Sequence, residues 1–261
     1  MTETKPLAVV TGASSGIGHE LAKQFADNDF DLLICAEDTG LEAASAGLRA
    51  AGADVQTVQS DLSTYDGVEQ LYDAIGQSGR PVSAAALNAG IGQGGAFLDN
   101  NLADVLEIID LNVTSSVHLA KRLLPDMVAR NEGRVLITSS VASMTPGSFR
   151  AVYNASKSFL QSFAQALQDE LKDTEVTITA LMPGPTDTNF FHRADMEDTP
   201  VGSGSKDDPA VVAKQGFDAM MGGKDKIVAG SLKTKVQGIG AKVVPDKLKA
   251  AAHRKMAEPE S

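Results

Sequence analysis

Tyr153 and Lys157 stand four residues apart in the run Val-Tyr-Asn-Ala-Ser-Lys, and Ser140 precedes the tyrosine by thirteen. On a helix this spacing puts both side chains on one face about one turn apart, so the Lys157 ammonium can favour a phenolate at Tyr153. Ser140 closes an apolar run that reads as a strand, which places its hydroxyl at the carboxyl edge of a sheet, where open α/β sheets bind ligands. A phenol whose charged form a partly buried cation favours, with a hydroxyl at the sheet edge, offers parts for general acid–base catalysis. In isolation a Tyr-x-x-x-Lys pair fits a packed tyrosine and a solvated lysine better, and Ser140 changes that balance.

A second group is Thr11-Gly12-Ala13-Ser14-Ser15-Gly16-Ile17-Gly18, which follows the apolar run Leu7 to Thr11 and leads into the helical pattern His19-Glu20-Leu21-Ala22. Glycines at 12, 16 and 18 allow a tight turn, close approach of the backbone to a pyrophosphate and close packing of helix on strand. The helix start adds free N–H groups and the positive end of its dipole. A glycine-rich turn with no ligand is the plainer reading. The strand before and the helix after favour a dinucleotide site.

These residues resemble the glycine motif of the short-chain dehydrogenase/reductase family. Further pieces of that family's pattern follow in order: Asp61-Leu62 after the third strand, Asn88-Ala89-Gly90 ending the fourth, Asn112 in Leu-Asn-Val within the long fourth helix, then Ser140, Tyr153 and Lys157, then Pro183-Gly184 with Thr186 and Thr188. The resemblance covers about residues 5 to 230. It implies that Ser140 hydrogen-bonds the substrate oxygen, Tyr153 exchanges the proton, Lys157 holds the nicotinamide ribose and Asn112 helps hold a water that relays protons. For Asn112 alone, a polar residue bonding to backbone is the plainer reading. The resemblance also implies cofactor contacts at Gly12, Ser14, Ser15, Gly16, Ile17, Gly18, Asp61, Leu62, Asn88, Ala89, Gly90, Tyr153, Lys157, Pro183, Gly184, Thr186 and Thr188, and a homodimer or homotetramer built through the long helices.

The elements that must position these groups are short apolar runs alternating with helix-period stretches. Strands are expected at Leu7 to Thr11, Asp31 to Ala36, Val55 to Gln59, Val82 to Asn88, Arg134 to Ser139, Val176 to Met182 and Lys226 to Ala229. Helices are expected to begin near Gly16, Leu41, Thr64, Leu102, Val152 and Pro209, the last after an Asp208 cap. This rhythm predicts a doubly wound Rossmann-type α/β fold, a parallel sheet of about seven strands with helices on both faces. Without linker or repeat, residues 1–261 read as one dinucleotide-binding catalytic domain. Residues 189–207 look too polar for a core element and read as a mobile substrate loop, and 231–261 as a C-terminal extension frayed at its end.

After the second strand the chain reads Ala36-Glu37-Asp38-Thr39. A carboxylate at Glu37 can accept from the adenosine ribose and would repel the extra phosphate of NADP, so NAD(H) is favoured with NADP(H) possible. Ala36 stands where NAD-specific relatives often carry Asp. Gln93, Gly94, Val141 to Met144, Phe149, Phe190, Phe191 and Met196 are the expected substrate walls, which point to an apolar or bulky carbonyl compound. Phe190 and Phe191 serve equally well as anchors of the loop.

The net charge of −11 disfavours nucleic acid and anionic lipid as partners. Lone Cys35 reads as a small buried hydrophobe, no apolar run is long enough to span a bilayer, and a cytoplasmic location is the default. His19, His118, His192 and His253 sit in no triad context and no Gly-x-Ser-x-Gly elbow is present, so a hydrolase is disfavoured; no spacing suits a metal. The expectation is hydride transfer between a nicotinamide and a secondary alcohol or ketone. The rival is a non-catalytic dinucleotide-binding regulator of the same fold, against which the intact Asn112, Ser140, Tyr153 and Lys157 argue.

Overall fold

A computed structural model describes residues 4–231, 234 and 246–258. Seven parallel strands form one sheet: β1 (Leu7–Thr11), β2 (Asp31–Ala36), β3 (Val55–Gln59), β4 (Val82–Leu87), β5 (Gly133–Thr138), β6 (Val176–Pro183) and β7 (Lys226–Ala229), in the order β3-β2-β1-β4-β5-β6-β7. The order reverses between β1 and β4, which leaves a crevice beyond their carboxyl ends. Each strand lies within a residue of its expected bounds, because a strand covered on both faces is a continuous apolar run.

Successive side chains of one strand feed two separate cores. Leu7, Val9, Leu33, Cys35, Ala85 and Leu87 face one layer, while Ala8, Val10, Leu32, Ile34, Ala84 and Ala86 face the other. The second layer is closed by α1 (Gly16–Asp27), α2 (Gly40–Ala50) and α9 (Pro209–Met221), through Leu21, Phe25, Leu41, Leu48, Phe217 and Met220. The first is closed by α3 (Tyr65–Gln77), α5 (Ser115–Arg130) and α6 (Ala151–Glu170), through Leu71, Leu123, Met127 and Leu160. Cys35 is buried there, and loss of solvent pushes its thiol up to about 12. Asp208 accepts from Ala210 N at 2.8 Å, the cap that starts α9.

Three departures shape the site. The expected long fourth helix is α4 (Leu102–Ile109) running through a π-helical turn, Asp110–Thr114, into α5. Residues 189–207 are not a bare polar loop: they carry α7 (Phe190–Arg193) and α8 (Pro200–Ser203) and are closed by a bridge between Thr186 and Asp207. Their polar composition masks an apolar cluster of Phe191, Ala194 and Met196. The C-terminal extension supplies the fourth member, Ala257, from α10 (Asp246–Ala257). Its expected frayed end, residues 259–261, lies outside the described residues.

Candidate active site

A cavity of about 520 Å³ opens along the carboxyl edge of the sheet. At one end the glycine loop forms its floor. Gly12 (φ +66°) and Gly16 (φ +58°) occupy the left-handed region, and a Cβ at Gly18 would stand 2.1 Å from the Gly12 carbonyl oxygen. Ser15, the N-cap of α1, makes no side-chain hydrogen bond to the helix, so the first N–H groups of α1 are left to another partner. The cradle fits a dinucleotide pyrophosphate.

Of the residues expected to hold a cofactor, every one but Asp61 lines this cavity: Gly12, Ser14, Ser15, Gly16, Ile17 and Gly18 below, Glu37 and Leu62 at the adenosine end, Asn88, Ala89, Gly90, Tyr153 and Lys157 at the centre, and Pro183, Gly184, Thr186 and Thr188 opposite. Asp61 instead turns back, its carboxylate accepting from Ser63 N at 2.9 Å to build the turn into α3. Ser60 lines the cavity in its place. At the end of β2, Asp38 rather than Glu37 carries the hydrogen bonds, accepting from Ser14 Oγ at 2.6 Å and Gly40 N at 2.9 Å. Burial, with the negative charges of Glu37, Asp61 and Asp104, holds the Glu107 carboxyl above the usual carboxylate range, so this end of the site is acidic.

The reactive groups converge at the centre. Lys157 is 4 % exposed, and its ammonium donates to Thr138 O at 2.9 Å; burial alone pushes it down to about 8. A Cβ on Gly90 would lie 3.2 Å from Lys157 Nζ, and one on Gly92 would lie 3.1 Å from Tyr153 Cδ2 and 2.5 Å from Phe190 Cζ. The backbone after β4 is thus bare where the reactive side chains press on it. Among the neighbouring hydroxyls, Thr138 donates to Asn88 Oδ1, Ser139 to Lys157 O and Ser143 to Ser140 O. Ser140 is the least committed donor, with only a 3.4 Å contact to Pro183 O while it accepts from Ala142 N.

Asn112 stands just behind the cavity. It does not line the cavity. It sits fully buried in the π-helical turn, where Oδ1 accepts from Ile91 N and Nδ2 donates to Ile91 O and Ser156 Oγ. Ser156 Oγ in turn donates to Tyr153 O at 2.7 Å. The amide thus ties the segment after β4 to α6 and, through Ser156, to the backbone of Tyr153.

The substrate side also differs from expectation. Val141, Ala142, Met144, Phe190 and Phe191 line the cavity; Gln93, Gly94, Ser143, Phe149 and Met196 do not. Gly94 packs on Met196, and Phe149 and Met196 join the small apolar cluster of the 189–207 segment. Phe190 does both jobs, its ring tilted 5.2 Å from that of Tyr153 and edge-to-face 5.5 Å from that of Phe191.

A family model described as short chain dehydrogenase matches residues 6–198. The chain belongs to the short-chain dehydrogenase family. The dehydrogenase is 31% identical over 186 residues to the uncharacterized oxidoreductase YmfI of Bacillus subtilis (strain 168), covering 71% of this chain and 77% of that one. It spans little more than half the length of some longer curated relatives. Its structure is similar to that of a short-chain dehydrogenase from Sphingobium yanoikuyae in complex with NADPH, with TM-score 0.79, 27% identity and 85% and 86% of the two chains covered. It is similar as well to a short-chain dehydrogenase/reductase from Burkholderia phymatum in complex with NAD, with TM-score 0.82, 26% identity and full coverage of both. The chain is therefore an oxidoreductase of a family that works with NAD(P)(H).

Four cavity-lining groups of this dehydrogenase escape sequence reasoning: Arg150, Arg193, Lys249 and His253. Arg193 reaches from α7 to Ser15 Oγ at 3.2 Å, at the glycine loop. Arg150, the N-cap of α6, is 8 % exposed and lies with Cζ 4.4 Å over the Tyr153 ring and 5.7 Å from that of Phe190. Its Nε has no hydrogen-bond partner. A signal existed: three residues before Tyr153, Arg150 shares its helix face.

Proposed function

We propose that the dehydrogenase interconverts a ketone and a secondary alcohol, with an apolar or bulky substituent on the substrate and NAD(H) as the preferred cofactor, the whole chain acting as one catalytic domain. The observation that carries this is the meeting of Ser140, Tyr153 and Lys157 in one cavity with the glycine cradle. When bound, the nicotinamide supplies or takes the hydride. In the reducing direction the Ser140 hydroxyl and the Tyr153 phenol hold the carbonyl oxygen, and Tyr153 gives up its proton to it. The Lys157 ammonium stabilises the negative charge left on Tyr153, and it does so strongly because it is buried, where charges interact more strongly than in water. Phe190 and Met144 keep the carbonyl in an apolar wall.

The acidic end formed by Glu37, Asp38, Asp61 and Glu107 supports the preference for NAD(H), since a second phosphate on the ribose would meet like charge. Asp38 shares the ribose contact through its link to Ser14. An exposed apolar stripe on α4, Leu102, Leu106 and Ile109, with Leu98 nearby in sequence, supports assembly into a homodimer or homotetramer through the long helices. Sedimentation velocity tests that reading; a monomer at micromolar concentration overturns it.

The test of the activity is consumption of NADH and NADPH, measured separately, over aromatic and alicyclic ketones, with wild type and Tyr153→Phe. The substitution is expected to remove nearly all turnover while cofactor fluorescence still reports binding, because the phenol supplies the proton and little contact area. Turnover close to wild type in Tyr153→Phe overturns the assignment.

A further inference from the structure

Arg150 is placed unfavourably unless something negative joins it. Its guanidinium is nine-tenths buried, and no carboxylate among the described residues faces it; it meets Tyr153, by charge and by a side-chain hydrogen bond, and the imidazole of His253. A buried cation without a counter-charge is costly. It stands at the N-terminus of the 20-residue α6, where the helix dipole repels a cation and attracts an anion. The preceding Phe149 has φ +62°, a left-handed conformation that strains a bulky L residue. Strain, dipole and burial all converge on delivering one positive fork to the cavity beside Tyr153.

Among the described residues the surroundings supply no counter-charge. His253 of α10 sets Nδ1 3.0 Å from Ser148 O and Nε2 3.4 Å from Asn154 Nδ2, so it donates from Nδ1, accepts at Nε2 and is neutral. Lys249, from the same helix, lines the same cavity. The phosphates of the cofactor do not explain Arg150 either, because their cradle is the glycine loop, where Arg193 already stands against Ser15.

We propose that Arg150 is the seat for a carboxylate on the substrate, and that the substrate class is a keto acid, or the matching hydroxy acid, with an apolar remainder. This rests on the ketone–alcohol reading above. The Tyr153 ring covers the face of the guanidinium and its side chain takes one hydrogen bond, while Nε has no partner, which leaves N–H groups to take a carboxylate in the plane of the fork. One fork matches one single charge. Because the fork is stacked on the ring whose hydroxyl must hold the carbonyl oxygen, the carboxylate and the carbonyl are only a few carbons apart. Met144, Val201 and Met256 receive the rest of the molecule. In the step itself the carbonyl carbon gains a hydride from the dihydronicotinamide, which is oxidised. The carbonyl oxygen gains the Tyr153 proton, which solvent restores, and the carboxylate is unchanged.

The test uses full-length protein with its cofactor and matched probes: 3-oxo and 4-oxo acids with short alkyl or phenyl ends, and their methyl esters. Turnover is read from cofactor absorbance and binding from thermal shift in saturating NAD+. Wild type is expected to favour acid over ester in kcat/KM, and Arg150→Met to reduce that ratio by about 10- to 100-fold, with part of it restored in Arg150→Lys. Cofactor quenching checks that each variant folds. If the ratio is unchanged in Arg150→Met, or wild type handles and binds ester as well as acid, the carboxylate seat is wrong and Arg150 serves Tyr153 alone. If acids shift the melting temperature through Arg150 but nothing is reduced, the seat stands and the ketone-reductase reading falls.

Discussion

Asn112 grips both backbone polar groups of Ile91, accepting from its N–H and donating to its carbonyl, each at 2.9 Å. The amide side chain thus mimics one more strand residue beside the chain that leaves β4. The π-helical turn makes this possible by turning a helical residue out of the regular ladder, a common use of such turns at functional sites. Through Ser156 the same amide reaches the backbone of Tyr153.

Replacing Asn112 by Ala would strand Ile91 N and O in a buried setting. A loss of roughly 2–4 kcal/mol in unfolding free energy is expected. Turnover should fall by more than cofactor affinity. Urea denaturation checks this; an unchanged midpoint would mean that the clamp contributes nothing.

Lys157 is expected to cost stability in the free protein. Its folded value, about 8, lies below the 10.5 of an unperturbed lysine, so the unfolded chain binds more protons between these pH values and stability rises with pH across that window. Below it the buried ammonium costs roughly 3 kcal/mol. Lys157→Met should therefore melt no lower than wild type at pH 7 without cofactor, even though Thr138 O loses a donor, while turnover disappears. Melting well below wild type contradicts the sign.

His253 carries a dependence of the same sign at lower pH. Burial, and then the charge of Arg150, lower its value below 6.5, so it is neutral when folded and takes up a proton on unfolding. Stability should be unaffected above that value and should fall as pH drops through it. Melting curves from pH 8 to 5 on wild type and His253→Gln test this, since the variant should lose much of the acid slope. Parallel slopes would assign the acid sensitivity elsewhere.

Glu37→Arg exchanges a repulsive carboxylate for a phosphate-binding fork at the ribose end. A shift of roughly ten- to a hundredfold in kcat/KM toward NADP(H) is expected at this exposed position. Asp38 remains in place on Ser14, so the preference should move without fully reversing. Steady-state kinetics with both cofactors decides it, and a wild type that already prefers NADPH refutes the premise.

The strands were legible almost to the residue because apolar runs between turn residues have few other ways to be buried. Tyr153, Lys157 and Ser140 were legible because one helical turn and one strand end dictate their meeting. Arg150 was not, since an arginine in sequence is assigned to solvent by default and only the folded chain shows Phe149 turning it inward. Asp61 could have been read: Asp-x-Ser is a short turn that uses its own carboxylate. The 189–207 segment was misjudged because its apolar residues are scattered among polar ones and close only on Ala257, far along the chain. His253 is bound to Ser148 across 105 positions, a distance that no local pattern spans.

The cavity's floor is built from the glycine turn, residues 12–18, and its far wall from Lys249, Ala252, His253 and Met256. A ribosome delivers these at opposite ends of synthesis. The nascent chain can thus lay down the sheet and its glycine turn well before the compartment that discriminates between substrates exists. The turn that would cradle the dinucleotide and the wall facing it are thus contributed by segments far apart in the order of synthesis.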